Sequence, residues 1–167
     1  PILLQDFNPG GPTIGADFVD DLSKRADNFQ FVKLEDPMML DKLIAISETV
    51  EGRVRILEGW GGLYMLEGIS AGIDGVMPGA AIADLLEIVF SAADSGDAVR
   101  AHDLFGSLLP FINFTLQDFE FFLQIEKRTL VRRGLIDLID SDPDLTVVGE
   151  AGTVSNALAR IPALRPD

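Results

Sequence analysis

Phe29-Gln30-Phe31-Val32-Lys33-Leu34-Glu35-Asp36-Pro37 decides the fold. Aromatic and β-branched residues open the stretch at strand spacing, and Asp36-Pro37 then punctuates it as a helix start does. Proline has no N–H to lose and its fixed φ suits the first helical residue, with Asp36 before it as the cap. This predicts a strand over Phe29 to Glu35 and a helix over Met38 to Val50. Working outward, the same alternation recurs: strands at Ile2 to Phe7, Arg53 to Glu58 and Gly75 to Met77, and helices at Ala16 to Ala26, Gly62 to Ala71 and Ala81 to Ser95. Strand starts about 20 to 28 residues apart fit βαβ geometry. The fold class is therefore α/β: four parallel strands, each followed by a helix.

After Gly96 the alternation stops. Ala98 to Leu109 and Leu116 to Arg133 read as helices, the second carrying Phe119, Phe122, Leu123 and Leu130. Asp140-Ser141-Asp142-Pro143-Asp144 is then a turn, Leu145 to Val148 a short strand and Val154 to Leu164 a final helix. The expected organisation is a (βα)4 sheet unit over residues 1–96, a helical segment over 97–136, and a βα tail over 137–167.

With 47% hydrophobic and 24% charged residues, the 167-residue chain can bury a core. It is shorter than the roughly 250 residues of a complete eight-stranded β/α barrel. A net charge of −14 repels phosphates and anionic lipid, which argues against nucleic-acid or membrane partners. With no cysteine and one histidine, thiolate chemistry and a His-rich metal site are not expected. No apolar run reaches the roughly 18 to 20 residues of a membrane span, and no basic leader precedes one, so a cytoplasmic protein is the default. The start at Pro1 without an initiator Met and the stop after Arg165-Pro166 suggest a chain cut at both ends.

Lys33 carries the chemistry. Alternation puts it on one strand face with Phe29 and Phe31, and a lysine desolvated among apolar neighbours becomes a nucleophile toward carbonyl carbon. The alternative on residues alone is a strand-end lysine paired with Glu35 or Asp36. Gly59-Trp60-Gly61-Gly62, Gly75-Val76-Met77-Pro78-Gly79 and Pro9-Gly10-Gly11-Pro12 each follow a strand. Each is a turn by composition, but all lie where β/α folds place their sites.

Phe31-Val32-Lys33-Leu34-Glu35 resembles the Schiff-base lysine strand of the dihydrodipicolinate synthase and N-acetylneuraminate lyase family. Pro1-Ile2-Leu3-Leu4-Gln5-Asp6 resembles the preceding strand of that family, Ile56-Leu57-Glu58-Gly59 the following one, and Ala71 to Gly79 the last barrel strand. The helices through Lys127 and Arg132-Arg133-Gly134-Leu135-Ile136 resemble its C-terminal helices. The resemblance implies the C-terminal half of a TIM barrel and a class I lyase in which Lys33 forms an imine with a 2-oxo acid such as pyruvate. No cofactor is implied beyond that covalent imine. Gln5, Asp6, Glu58, Gly59, Met77 and Pro78 are then the candidates to line the substrate pocket. Where family members carry a proton-relaying Tyr followed by Asn, this chain has Gln5 and Asp6; Tyr64, the one tyrosine, falls on an expected helix. The family's N-terminal half, with its carboxylate-binding loop, has no counterpart here. A half-barrel exposes sheet edges, so a homo-oligomer is expected. The competing reading is a non-catalytic chimeric or truncated scaffold.

The tail resembles something else. Leu130 to Leu135, Asp144 to Gly152 and Leu164 to Asp167 resemble the first third of a response-regulator receiver domain. Neither its Mg²⁺-binding acidic pair nor its phosphoacceptor Asp is matched, so phosphotransfer is not implied. The two resemblances overlap at Val131 to Ile136, as a chimera or a misjoined reading frame would produce.

Overall fold

The computed structural model describes residues 1–7, 10–36 and 39–164. Pro9 of the first loop, the expected helix start at Pro37-Met38, and the terminal Arg165-Pro166-Asp167 lie outside the described residues. The chain divides into two compact units, Pro1–Ile125 and Glu126–Asp167.

The first unit is built on a parallel four-stranded sheet in the order β1 (Ile2–Asp6), β2 (Phe29–Leu34), β3 (Arg55–Glu58), β4 (Gly75–Val76). Helices α1 (Ala16–Arg25), α2 (Met39–Val50), α3 (Met65–Ser70) and α4 (Ala83–Asp94) follow the strands in turn. Short 3₁₀ turns at Trp60–Gly62 and Ala80–Ile82 lead into the last two helices. The strands and helices fall where the sequence puts them, with ends trimmed by one to three residues. The arrangement is half of a TIM-barrel-like fold.

The register sorts the side chains. Gln5, Lys33, Leu57 and Gly75 stand in one row across the sheet; Asp6, Leu34, Glu58 and Val76 form the next. Successive residues of a strand face opposite sides, so the two rows do too. The second row faces the helices, where Leu34, Leu43, Ile46 and Val50 form a buried core with Val19 and Val32. Each such fully buried aliphatic contributes about 1.5–3 kcal/mol.

Phe29 departs from the expectation that it lies beneath Lys33. β1 pairs Ile2 with Phe29 but Leu3 with Phe31, leaving Gln30 as an extra residue on β2. Such a bulge breaks alternation, so Phe29 joins the helix-side core while Phe31 stays on Lys33's face under the Arg55 guanidinium, 5.7 Å from its ring.

A second core joins Met65, Leu86, Val89, Ala101, Phe105 and Ile112 between α3, α4 and α5 (Ala98–Thr115). The helix expected to end at Leu109 runs on through Pro110. Proline removes one intrahelical hydrogen bond, yet the helix continues because Ile112 and Thr115 beyond it are buried.

Helix α6 (Phe119–Asp140) runs through the division between the units, and the second unit ends in α7 (Val154–Leu164). The strand expected at Leu145 to Val148 is absent. A strand needs a hydrogen-bonded neighbour, and among the described residues none pairs with this segment; the Val147 N–H instead donates to Asp140 Oδ1 at 2.7 Å. Arg132 pairs with Glu150. Among the described residues no helix is long and apolar enough to cross a membrane.

Candidate active site

At the C-terminal ends of the strands, on the face away from the helices, a cleft of about 410 Å³ opens. Its floor is Gln5 and Lys33, with Glu35 just past the end of β2; Trp60 and Gly61 form one wall and Met77 and Pro78 another. The junction of α5 and α6 covers it with Leu116, Asp118 and Phe119, and Phe119 stacks on Phe7 with ring centroids 5.7 Å apart.

Lys33 and Glu35 are two residues apart on one face. Lys33 Nζ lies 2.5 Å from Glu35 Oε1, with the two side chains 14% and 11% exposed. The lysine is therefore ion-paired, rather than held among apolar groups alone. Gln5 Nε2 donates to Glu35 Oε1 at 3.2 Å and the Trp60 N–H to Oε2 at 2.8 Å, so three donors converge on one carboxylate. Among the described residues lining the cleft, Lys33 is the one cation.

The turn after β3 is shaped to this carboxylate. A Cβ on Gly59 would stand 2.5 Å from Glu35 Cδ, so a larger residue here would push that carboxylate out of its place. Trp60 has φ +35°, a left-handed conformation that costs a bulky residue on the order of 1–3 kcal/mol. The N–H that this conformation aims is the one that binds Glu35.

Of the residues singled out from sequence, Gln5, Lys33, Met77 and Pro78 come together in the cleft, and Gly59 lies beneath its edge. Asp6 and Glu58 do not line it. Both stand in the helix-facing row, one residue out of phase with Gln5 and Lys33. Asp6 accepts from the Ile14 N–H at 3.1 Å and from Lys42 Nζ at 2.7 Å, and Lys42 also reaches Asp36 at 2.9 Å. Burial opposes the Lys42 charge, but the hydrogen bonds that its ammonium donates to both carboxylates outweigh it and hold its pKa above the ordinary 10.5.

Glu58 is fully buried. Its Oε1 has one long contact, 3.5 Å from the Tyr64 N–H, and its Oε2 has no hydrogen-bond partner among the described residues. Burial pushes its carboxyl up from the ordinary 4.5 to about 8; the Tyr64 N–H and the Lys33 charge oppose this, while Glu35 and Glu67 add to it. It is a neutral acid at pH 7. Tyr64 sits before α3, packed on the helix-side core and outside the cleft lining.

Glu35 is the charged group of the cleft that the sequence reading left in a structural role, although its i, i+2 spacing from Lys33 on a strand signals a shared face. Trp60, Asp118 and Phe119 came from turns and a helix junction whose approach to the strand ends only the folded chain sets.

No family model matches the chain. Its structure is similar to a dihydrodipicolinate synthase from Rhodopseudomonas palustris, with a TM-score of 0.72 and 26% identity over 98% of this chain and 54% of that one. Dihydrodipicolinate synthase from Aquifex aeolicus matches with a TM-score of 0.63 and 20% identity over 71% of this chain and 41% of that one, a likeness of fold. Among curated proteins, the DNA-binding transcriptional activator DevR/DosR of Mycobacterium tuberculosis is 58% identical over 43 residues, 26% of this chain and 20% of that protein. The chain thus spans about half the length of the solved structure it matches over nearly its whole length.

Proposed function

We propose that this chain carries the imine-forming part of a class I lyase site, with Lys33 condensing with a 2-oxo acid such as pyruvate. The single observation that supports this best is the placement of Lys33 on the inner face of a parallel sheet, at the strand end and under an open cleft. Likeness to dihydrodipicolinate synthases supports it from a second direction. The lysine amine would attack the oxo carbon, water would leave, and the iminium would draw electrons from the bond that breaks or forms. Gln5 and the Trp60 wall would orient the oxo acid.

Positioning is the weak point of the described site. Lys33 would be engaged in the covalent bond, which leaves no second cation among the described residues lining the cleft for the substrate carboxylate. Well-oriented intramolecular reactions reach effective molarities of roughly 10⁵ to 10⁸ M, and a substrate held by one end forfeits much of that. The chain by itself is therefore expected to trap an oxo acid slowly and to show no measurable lyase turnover. Incubation with pyruvate and borohydride, followed by intact mass, tests the proposal. Equal labelling of the wild type and Lys33→Ala would leave a non-catalytic scaffold as the reading.

Two further readings rest on particular observations. β1 and β4 each pair on one side only among the described residues, which supports self-association through the open edges; a monomer by sedimentation would exclude it. The 43-residue match to a response regulator supports derivation of the tail from such a protein. A genomic sequence running uninterrupted through these residues in related lyases would exclude that origin.

A further inference from the structure

Imine formation needs a group that takes a proton from the lysine ammonium and later gives one to the departing hydroxyl. The tyrosine that would serve is not in the cleft. Gln5 stands in its place, and an amide does not exchange protons as an acid. Asp118 lines the cleft, but its Oδ1 caps α6 by accepting the Phe121 N–H at 2.9 Å. Glu58 faces the opposite side of the sheet.

Glu35 remains, and its geometry suits the task. It touches the reacting nitrogen at 2.5 Å, it lines the cleft, and the Trp60 N–H and Gln5 amide hold it in place. The glycine at 59 and the left-handed backbone at Trp60 both serve that placement. A carboxylate that merely neutralised a strand-end lysine would need neither.

We propose that Glu35 is the acid–base partner of Lys33, an inference that rests on the imine reading above. The carboxylate takes one proton from the Lys33 ammonium, and the freed amine attacks the oxo carbon. The carbon–oxygen double bond opens, and the proton that the attacking nitrogen sheds passes to that oxygen, which gives a neutral carbinolamine. The Glu35 carboxylic acid then donates its proton to that hydroxyl, the carbon–oxygen bond breaks, and water leaves. The products are the iminium and the carboxylate restored, so the cycle balances without a co-reactant. The same carboxylate then lies against the iminium cation in place of the ammonium.

The test is the initial rate at which pyruvate and cyanoborohydride convert Lys33 to its reduced adduct, read by peptide mass, with circular dichroism confirming the fold of each variant. Glu35→Gln keeps the size and the acceptor for Trp60 but cannot shuttle protons, and is expected to trap about 10² to 10⁴-fold more slowly. Glu35→Asp, with the acid retained one methylene back, should lose less. Glu35→Ala opens space for a small acid, and its rate should rise in proportion to added formate, a response that a structural role would not give. A wild-type rate in Glu35→Gln, or a defect in Glu35→Ala that formate leaves untouched, overturns the role while a wild-type adduct at Lys33 keeps the imine reading standing. Absence of any Lys33 adduct in the wild type removes the imine reading itself, and this inference with it.

Discussion

Replacing Glu58 with Gln should make the protein more stable in alkali, an unusual outcome for removing a charge-bearing group. In the fold the Glu58 carboxyl is fully buried and titrates at about 8 instead of 4.5. Between these values the folded chain holds a proton that the unfolded chain has released, so stability falls as pH rises through this window and levels off above about 8. At about 1.36 kcal/mol per pH unit, the window corresponds to about 5 kcal/mol in total, most of it already lost at pH 7. Side-chain escape to water reduces the measured value. Glutamine has the same shape, keeps an acceptor for the Tyr64 N–H and stays neutral. Wild type and Glu58→Gln should therefore unfold at similar urea concentrations near pH 4.5 and diverge by several kcal/mol at pH 9, the variant being the more stable. Parallel stability curves from pH 4.5 to 9 would refute the reasoning, since they would mean that the buried carboxyl does not resist ionisation.

Gly59→Ala should lower both thermal stability and the Lys33 trapping rate, because its methyl would displace the Glu35 carboxylate from all three donors; unchanged trapping kinetics would show that carboxylate to be dispensable. Lys42→Met removes the ammonium that Asp6 and Asp36 share and should lower stability in urea unfolding by about 1–3 kcal/mol, with Asp6→Asn in the same chain recovering part of it.

The fold was legible where local pattern decides it. The strand from Phe29, the Asp36-Pro37 punctuation and the recurrence of the pattern placed four parallel strands, and alternation next to Phe31 placed Lys33 on the inner face. What escaped was set by pairing or by distance. The bulge at Gln30 exists only in the register of β2 against β1, so Phe29 could not be assigned from β2 alone. Asp6 and Glu58 were grouped with Gln5 by the resemblance, but the face of a residue is decided by phase, and both are one residue out of step with Lys33. The helix ending read at Leu109 is overridden by the burial of Ile112 beyond it. Leu145 to Val148 has the composition of a strand but no strand partner among the described residues.

The imine reading requires that Lys33 in particular, and not lysine in general, reacts with the oxo acid. The chain has four lysines, and their exposures make a sharp control: the Lys24 side chain is 61% exposed while that of Lys33 is 14% exposed. Chemical labelling governed by access alone would favour Lys24. Peptide mapping after reductive trapping with pyruvate measures the share of adduct at each lysine. Most of it should sit on Lys33; an adduct spread by exposure, with Lys24 ahead of Lys33, would contradict the imine reading.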